Sequence, residues 1–136
     1  MASDRIGGWI PVDRTTAGKA RGSDRIYLEM DKVDWKKHPI NEKVDLGFLI
    51  TKKEDRLDFT CIVAKVPRGQ TIPQHHHEVQ DVIVPLCGKG KFWIEGQGEF
   101  EFKKGVVLNI PPGVAHRLYD VTEDIEIFDV YIPSIM

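Results

Sequence analysis

Three histidines stand in a row at His75, His76 and His77 beside acidic side chains, and a fourth, His116, follows a Pro111-Pro112-Gly113 turn. Neutral imidazoles are good ligands for divalent transition metals. In an extended strand, alternate residues share a face about 7 Å apart, so His75 and His77 are expected to point one way and His76 the other. On a helix the same pair would diverge by about 200°. A strand is expected over residues 72–77, because Pro73 opposes a helix interior and the Val82-Ile83-Val84 run that follows suits sheet. Two imidazoles on one strand face can bind one metal ion.

The surrounding elements must carry His116 to that pair. Short strands are expected at 44–51, 57–66, 72–77, 81–86, 91–95, 98–102, 106–110, 116–119 and 125–132. Between them, 52–56 is a polar turn, and Gly88-Lys89-Gly90, Gly96-Gln97-Gly98, Lys103-Lys104-Gly105 and Pro111-Pro112-Gly113 punctuate the rest. In 91–95 and 99–103 apolar residues alternate with charged ones. Phe92, Ile94, Phe100 and Phe102 should therefore face a core, with Trp93 on the outer face. About nine short strands in roughly 90 residues are too many for one flat sheet, so the fold class is all-β, a sandwich or closed barrel.

Before residue 44 the pattern is different. Residues 1–24 read as a polar arm in which only Trp9, Ile10 and Val12 could form a docking strand. Residues 25–30 could be a short strand, and the charged stretch 31–39 a turn or single helical turn. The expected division is an arm over 1–43, packing on the barrel or on a partner subunit, and a barrel over 44–136. His38, beside Pro39 in that charged stretch, reads as a surface or satisfied core residue.

A chain of 136 residues suits one domain. Its formal net charge of -2 offers no basic face for nucleic acid. No apolar run approaches the roughly 18 residues of a membrane-spanning helix, and Asp4 and Arg5 stand where a signal peptide would be apolar. A cytoplasmic protein with no nucleic-acid or membrane partner is expected. Cys61 and Cys87 form no CxxC pair and read as small buried apolar residues.

Gly69, His75, His77, Asp81 and Gly88 are spaced as G-x5-H-x-H-x3,4-E-x6-G, and Gly105, Pro111, Gly113, His116 and Asp120 as G-x5-P-x-G-x2-H-x3-N. In these two motifs the chain resembles the cupin superfamily, specifically its small single-domain metal-binding members, over about residues 44–133. The resemblance implies a jelly-roll β-barrel with an N-terminal extension. It also implies that His75, His77, Asp81 and His116 hold one divalent transition metal, Fe, Mn, Ni, Co, Cu or Zn, with positions left open for substrate. Asp81 stands where the motif has Glu and is shorter by about 1.5 Å, so it ligates only if its backbone sits closer. Asp120, standing for Asn, is expected to be structural.

The activity implied is Fe(II) dioxygenase-like chemistry on a small organic molecule. A lyase, isomerase or decarboxylase using Mn, Ni or Zn follows closely, and a non-catalytic small-molecule or metal-binding cupin is the reading from another class. A substrate-sized pocket beside the site would favour an enzyme; an interior filled by side chains would favour the last. Trp93 and the arm suggest a homodimer.

Overall fold

Alternation of apolar and polar side chains governs the two longest strands, and these organise the molecule. The computed structural model describes residues 7–9, 11 and 25–136. Its strands are β1 (Asp34–His38), β2 (Asn41–Ile50), β3 (Thr60–Val66), β4 (Ile72–His75), β5 (Gln80–Ile94), β6 (Gly98–Lys103), β7 (Leu108–Ile110) and β8 (His116–Ile132). A one-turn helix, α1 (Lys52–Asp55), links β2 to β3, and a 3-10 turn at Met30–Lys32 precedes β1.

All pairings are antiparallel, and β5 and β8 run through both layers of the fold. The first half of β5 pairs with β7 and with the last third of β8, which also pairs with β3; the order there is β1-β2-β3-β8-β5-β7. The second half of β5 pairs with β6 and with the start of β8, which pairs with β4, giving β4-β8-β5-β6. The result is a jelly-roll barrel. Val44, Ile62, Phe102, Leu118, Ile125 and Ile127 are buried between the layers, each such side chain contributing about 1.5–3 kcal/mol.

To belong to both layers a strand must bend, and motif residues sit at the bends. In β5 the register shifts repeatedly between Pro85 and Lys91. Gly88 there has φ 88°, and a Cβ added to it would lie 2.3 Å from the Asp124 carbonyl oxygen, so only glycine fits where β5 crosses β8. Gly88-Lys89-Gly90 is therefore a bulged bend inside one strand, not the turn expected between 81–86 and 91–95. β8 bends likewise at Asp120, whose φ of 49° is left-handed, a conformation that Asp and Asn tolerate better than most. That bend joins the segments 116–119 and 125–132 into one strand.

Several local expectations change. Residues 25–30 form no strand, whereas the charged stretch 31–39 contains β1, which pairs with β2 from Asp34↔Phe48 to His38↔Asn41. Its only large apolar side chain in the strand, Trp35, lies over Gly47, and the Lys65 ammonium sits 4.6 Å from that ring. A lone aromatic among charges gives no alternation to read. The boundary expected between residues 43 and 44 falls inside β2. The polar turn 52–56 contains α1, with the Thr51 hydroxyl accepting the Glu54 N–H at 3.0 Å. Phe100, expected to face a core, is 40% exposed on β6, the strand at the end of the sheet among the described residues. Cys61 is buried as expected, but Cys87 is exposed. Trp9 is exposed, and Ile10 and Val12 lie outside the described residues.

Candidate metal centre

β4 stops at His75, short of the strand end expected at His77. The Gly113 N–H of the Pro-Pro-Gly turn donates to the His77 carbonyl at 2.7 Å, so His77 is held in the connection to β5 by the loop that precedes His116. The two histidines still face one another, their ring centroids 4.9 Å apart. His116 opens β8 directly opposite His75 in the β4/β8 ladder. Its ring lies 4.4 Å from that of His75 and 5.5 Å from that of His77. One nitrogen from each of the three lies within 4.8 Å of the others. Strand pairing thus brings residues some forty positions apart to one point.

Backbone carbonyls fix the tautomers. His75 Nδ1 lies 2.7 Å from the Pro73 carbonyl and His116 Nδ1 lies 3.0 Å from the Val114 carbonyl. A carbonyl can only accept, so each Nδ1 carries the proton and donates it, leaving Nε2 with a free lone pair. The Nε2 atoms of His77 and His116 are buried without a hydrogen-bond partner. An orphaned buried polar atom costs about 1–3 kcal/mol, and a cation between them would satisfy both. The donor set and its orphaned nitrogens fit a divalent transition metal. Burial holds His77 and His116 at about 4, with the neighbouring imidazoles adding to the effect, and burial also lowers His75. All three are neutral at pH 7, the form that ligates.

Asp81 lies on β5 opposite Tyr131, with its side chain buried. Its Oδ2 is 3.7 Å from His77 Nε2 and 3.8 Å from His116 Nε2. Two donors on one ion, each bonded at about 2.0–2.2 Å, are at most about 4.4 Å apart, so each separation suits a shared ion, but the group of donors within 4.8 Å of one another comprises the three histidines without Asp81. Behind Asp81 stands Asp129 of β8, and the two carboxyls share a hydrogen bond. Burial pushes Asp81 up to about 7, partly offset by the bond from Asp129. Asp129 is pushed well above the carboxylate range by burial and then by the charge of Asp81. Like charges this close cannot both persist in a dry interior, so Asp129 keeps the proton and donates it to Asp81.

The remaining histidines separate as follows. His76 is exposed and meets Glu78 at 3.5 Å. His38, expected to be a bystander, ends β1 with its ring 6.2 Å from that of His75 and lines the same cavity. Burial, then His75, lowers it to about 4. Nothing in the charged sequence around it shows this, since only the β1/β2 pairing brings it over the barrel mouth. Asp129 and Tyr131 did leave a trace: in the run Ile125, Ile127, Asp129, Tyr131 an acid occupies an inward position of an apolar strand.

The site's own cavity is about 30 Å³, lined by His38, His75, Asp81, His116, Asp129 and Tyr131 together with apolar side chains such as Leu46, Ile62, Phe92 and Ile127. His116 stacks on Phe92 at 5.7 Å. A far larger hollow, about 750 Å³, lies outside the barrel between residues 25–36, β2 and Met136, away from the imidazoles.

The chain matches the cupin domain family over residues 62–131, more than half its length, and belongs to that family. No curated protein matches it. Among solved structures it is similar to a predicted oxalate decarboxylase from Thermotoga maritima, with TM-score 0.69 and 19% identity over 79% of this chain and 99% of the other. KdgF from Halomonas sp. gives TM-score 0.66 and 18% identity, covering 79% of this chain and 94% of that one. The cupin domain of Schizosaccharomyces pombe Cnp3 gives 0.64 and 15%, covering 80% and 70%. At such identities these likenesses establish the fold alone.

Proposed function

We propose that this cupin is a metal-dependent enzyme acting on a small organic molecule, with one divalent transition metal held by His75, His77 and His116 and by Asp81 as the fourth donor. The observation that carries this reading is the pair of buried, unpartnered Nε2 atoms on His77 and His116 beside the Asp81 carboxylate. When bound, such an ion supplies open coordination positions, Lewis acidity and, as Fe(II), redox chemistry. The chain's own residues present neutral imidazoles in the ligating tautomer and exclude bulk water with an apolar wall.

Oxygen-dependent, dioxygenase-like chemistry is the leading reaction class. The cavity beside the histidines, about 30 Å³, has room for a water-sized molecule and none for an organic one. Among the described residues there is thus no buried substrate pocket at the site, and the filled interior counts toward the non-catalytic reading. The substrate would therefore dock at the mouth, where His75 and His77 are partly exposed. A redox-neutral lyase or decarboxylase reaction is the second reading, supported by the proton shared between Asp81 and Asp129, which can serve proton transfer. Iron-loaded protein offered small diketones, catechols and carboxylates under air and under argon separates them. Turnover with oxygen uptake that stops under argon supports the first. Turnover undiminished under argon overturns it in favour of the second. Metal binding with no turnover of any kind would leave a non-catalytic metal-binding cupin.

A further inference from the structure

One imidazole at the mouth is wired the opposite way from the others. The Ile40 N–H donates to His38 Nδ1 at 3.1 Å, so that nitrogen is the acceptor and carries no proton. In a neutral ring the proton is then on Nε2, which has no hydrogen-bond partner among the described residues. His75 and His116 show the reverse arrangement, with Nδ1–H given to a carbonyl and Nε2 bare. His38 therefore offers an N–H where they offer lone pairs, and in this conformation it cannot be a further ligand without losing a second proton.

The ring is also held in place. The register shift between Lys37 and His38 closes the β1/β2 hairpin at once, pairing His38 with Asn41. Asn41 Nδ2 donates to the Thr71 carbonyl at 2.7 Å, fastening the hairpin tip to the residue before β4. His38 is thereby fixed beside His75, ring centroids 6.2 Å apart and planes at 71°, on the wall of the same cavity.

We infer that His38 is a substrate-binding residue, whose Nε2–H donates a hydrogen bond to an oxygen of the molecule bound at the three-histidine site, and that the substrate class is a small carboxylate or carbonyl compound. This rests on the metal reading above. A preorganised donor beside a metal selects a ligand with two acceptor atoms, one for the ion and one for the N–H. An amine or hydrocarbon offers that N–H no acceptor.

The test uses Co(II)-loaded full-length protein and acetate as the probe, followed by the visible bands of the cobalt. His38→Phe removes the donor; His38→Asn keeps an oxygen to accept the Ile40 N–H while its amide is too short to reach the ligand. Both variants should bind cobalt within about twofold of wild type and bind acetate at least about tenfold more weakly, equivalent to about 1.4 kcal/mol. Long-range proton–nitrogen spectra of the zinc-loaded protein should show the Nε2–H tautomer for His38 alone among the site histidines. Acetate affinity equal in wild type and both variants overturns the His38 role while leaving the metal reading intact. Cobalt affinity falling in step with acetate affinity makes His38 a ligand and overturns it too. No cobalt uptake by wild type overturns the metal reading and this inference together.

Discussion

At the scale of single residues, the site depends on who holds each proton. His75 and His116 are held in the ligating tautomer by the Pro73 and Val114 carbonyls, while Asp81 is oriented by a carboxyl that stays protonated. That last point gives a sharp pair of outcomes. Asp129→Asn keeps the size and, through its amide, a donor to Asp81, so metal affinity measured by chelator competition should stay within a few-fold of wild type. Asp129→Leu keeps the bulk and removes the donor, and affinity should fall by about 10–100-fold, as for other groups that orient a ligand. Equal, large losses in both variants would mean that Asp129 is ionised in the native protein and acts by charge.

At the scale of elements, two bent strands make the barrel, and the bend in β5 depends on a missing side chain. Gly88→Ala would press a methyl group into the Asp124 backbone at a positive φ, and should cost more than about 3 kcal/mol or abolish folding. Gly96→Ala, also at positive φ but in open space, should cost only the left-handed penalty of about 1–2 kcal/mol. Urea denaturation of the two variants checks the contrast, and similar costs would count against it. These bends also explain what the sequence conceals. Gly88-Lys89-Gly90 has turn composition yet only bends β5, because composition does not say whether a chain reverses or only kinks. The spacing of His75, His77 and His116 was legible because a two-residue period and a motif turn are local. His38 and Asp129 reach the same cavity only through pairings with β2 and β5, which no local pattern records. β1 is hidden for the related reason that DWKKH buries almost nothing, and for Phe100 alternation gives the face of the strand but not what covers it.

At the scale of the whole molecule, acid acts on the stability of the metal-free protein through opposing groups. His38, His77 and His116 titrate at about 4 when folded and near 6.5 when unfolded, and His75 is lowered as well. Their stabilisation is present above pH 6.5 and is lost as pH falls towards 4. Asp81 and Asp129 are raised in the fold and favour it as pH falls over the same range. The two sets oppose one another, so the imidazoles are tested with both carboxyls removed: in an Asp81→Asn, Asp129→Asn variant the urea midpoint of metal-free protein should be lower at pH 5 than at pH 7, and a midpoint that holds or rises would contradict the buried neutral imidazoles. The most direct test of the central claim is the metal content of protein purified without a polyhistidine tag, set against a His75→Ala, His77→Ala double variant. Wild type should carry about one transition-metal ion per chain and the variant almost none. Equal content in the two, whether high or negligible, would contradict a metal centre built on these histidines.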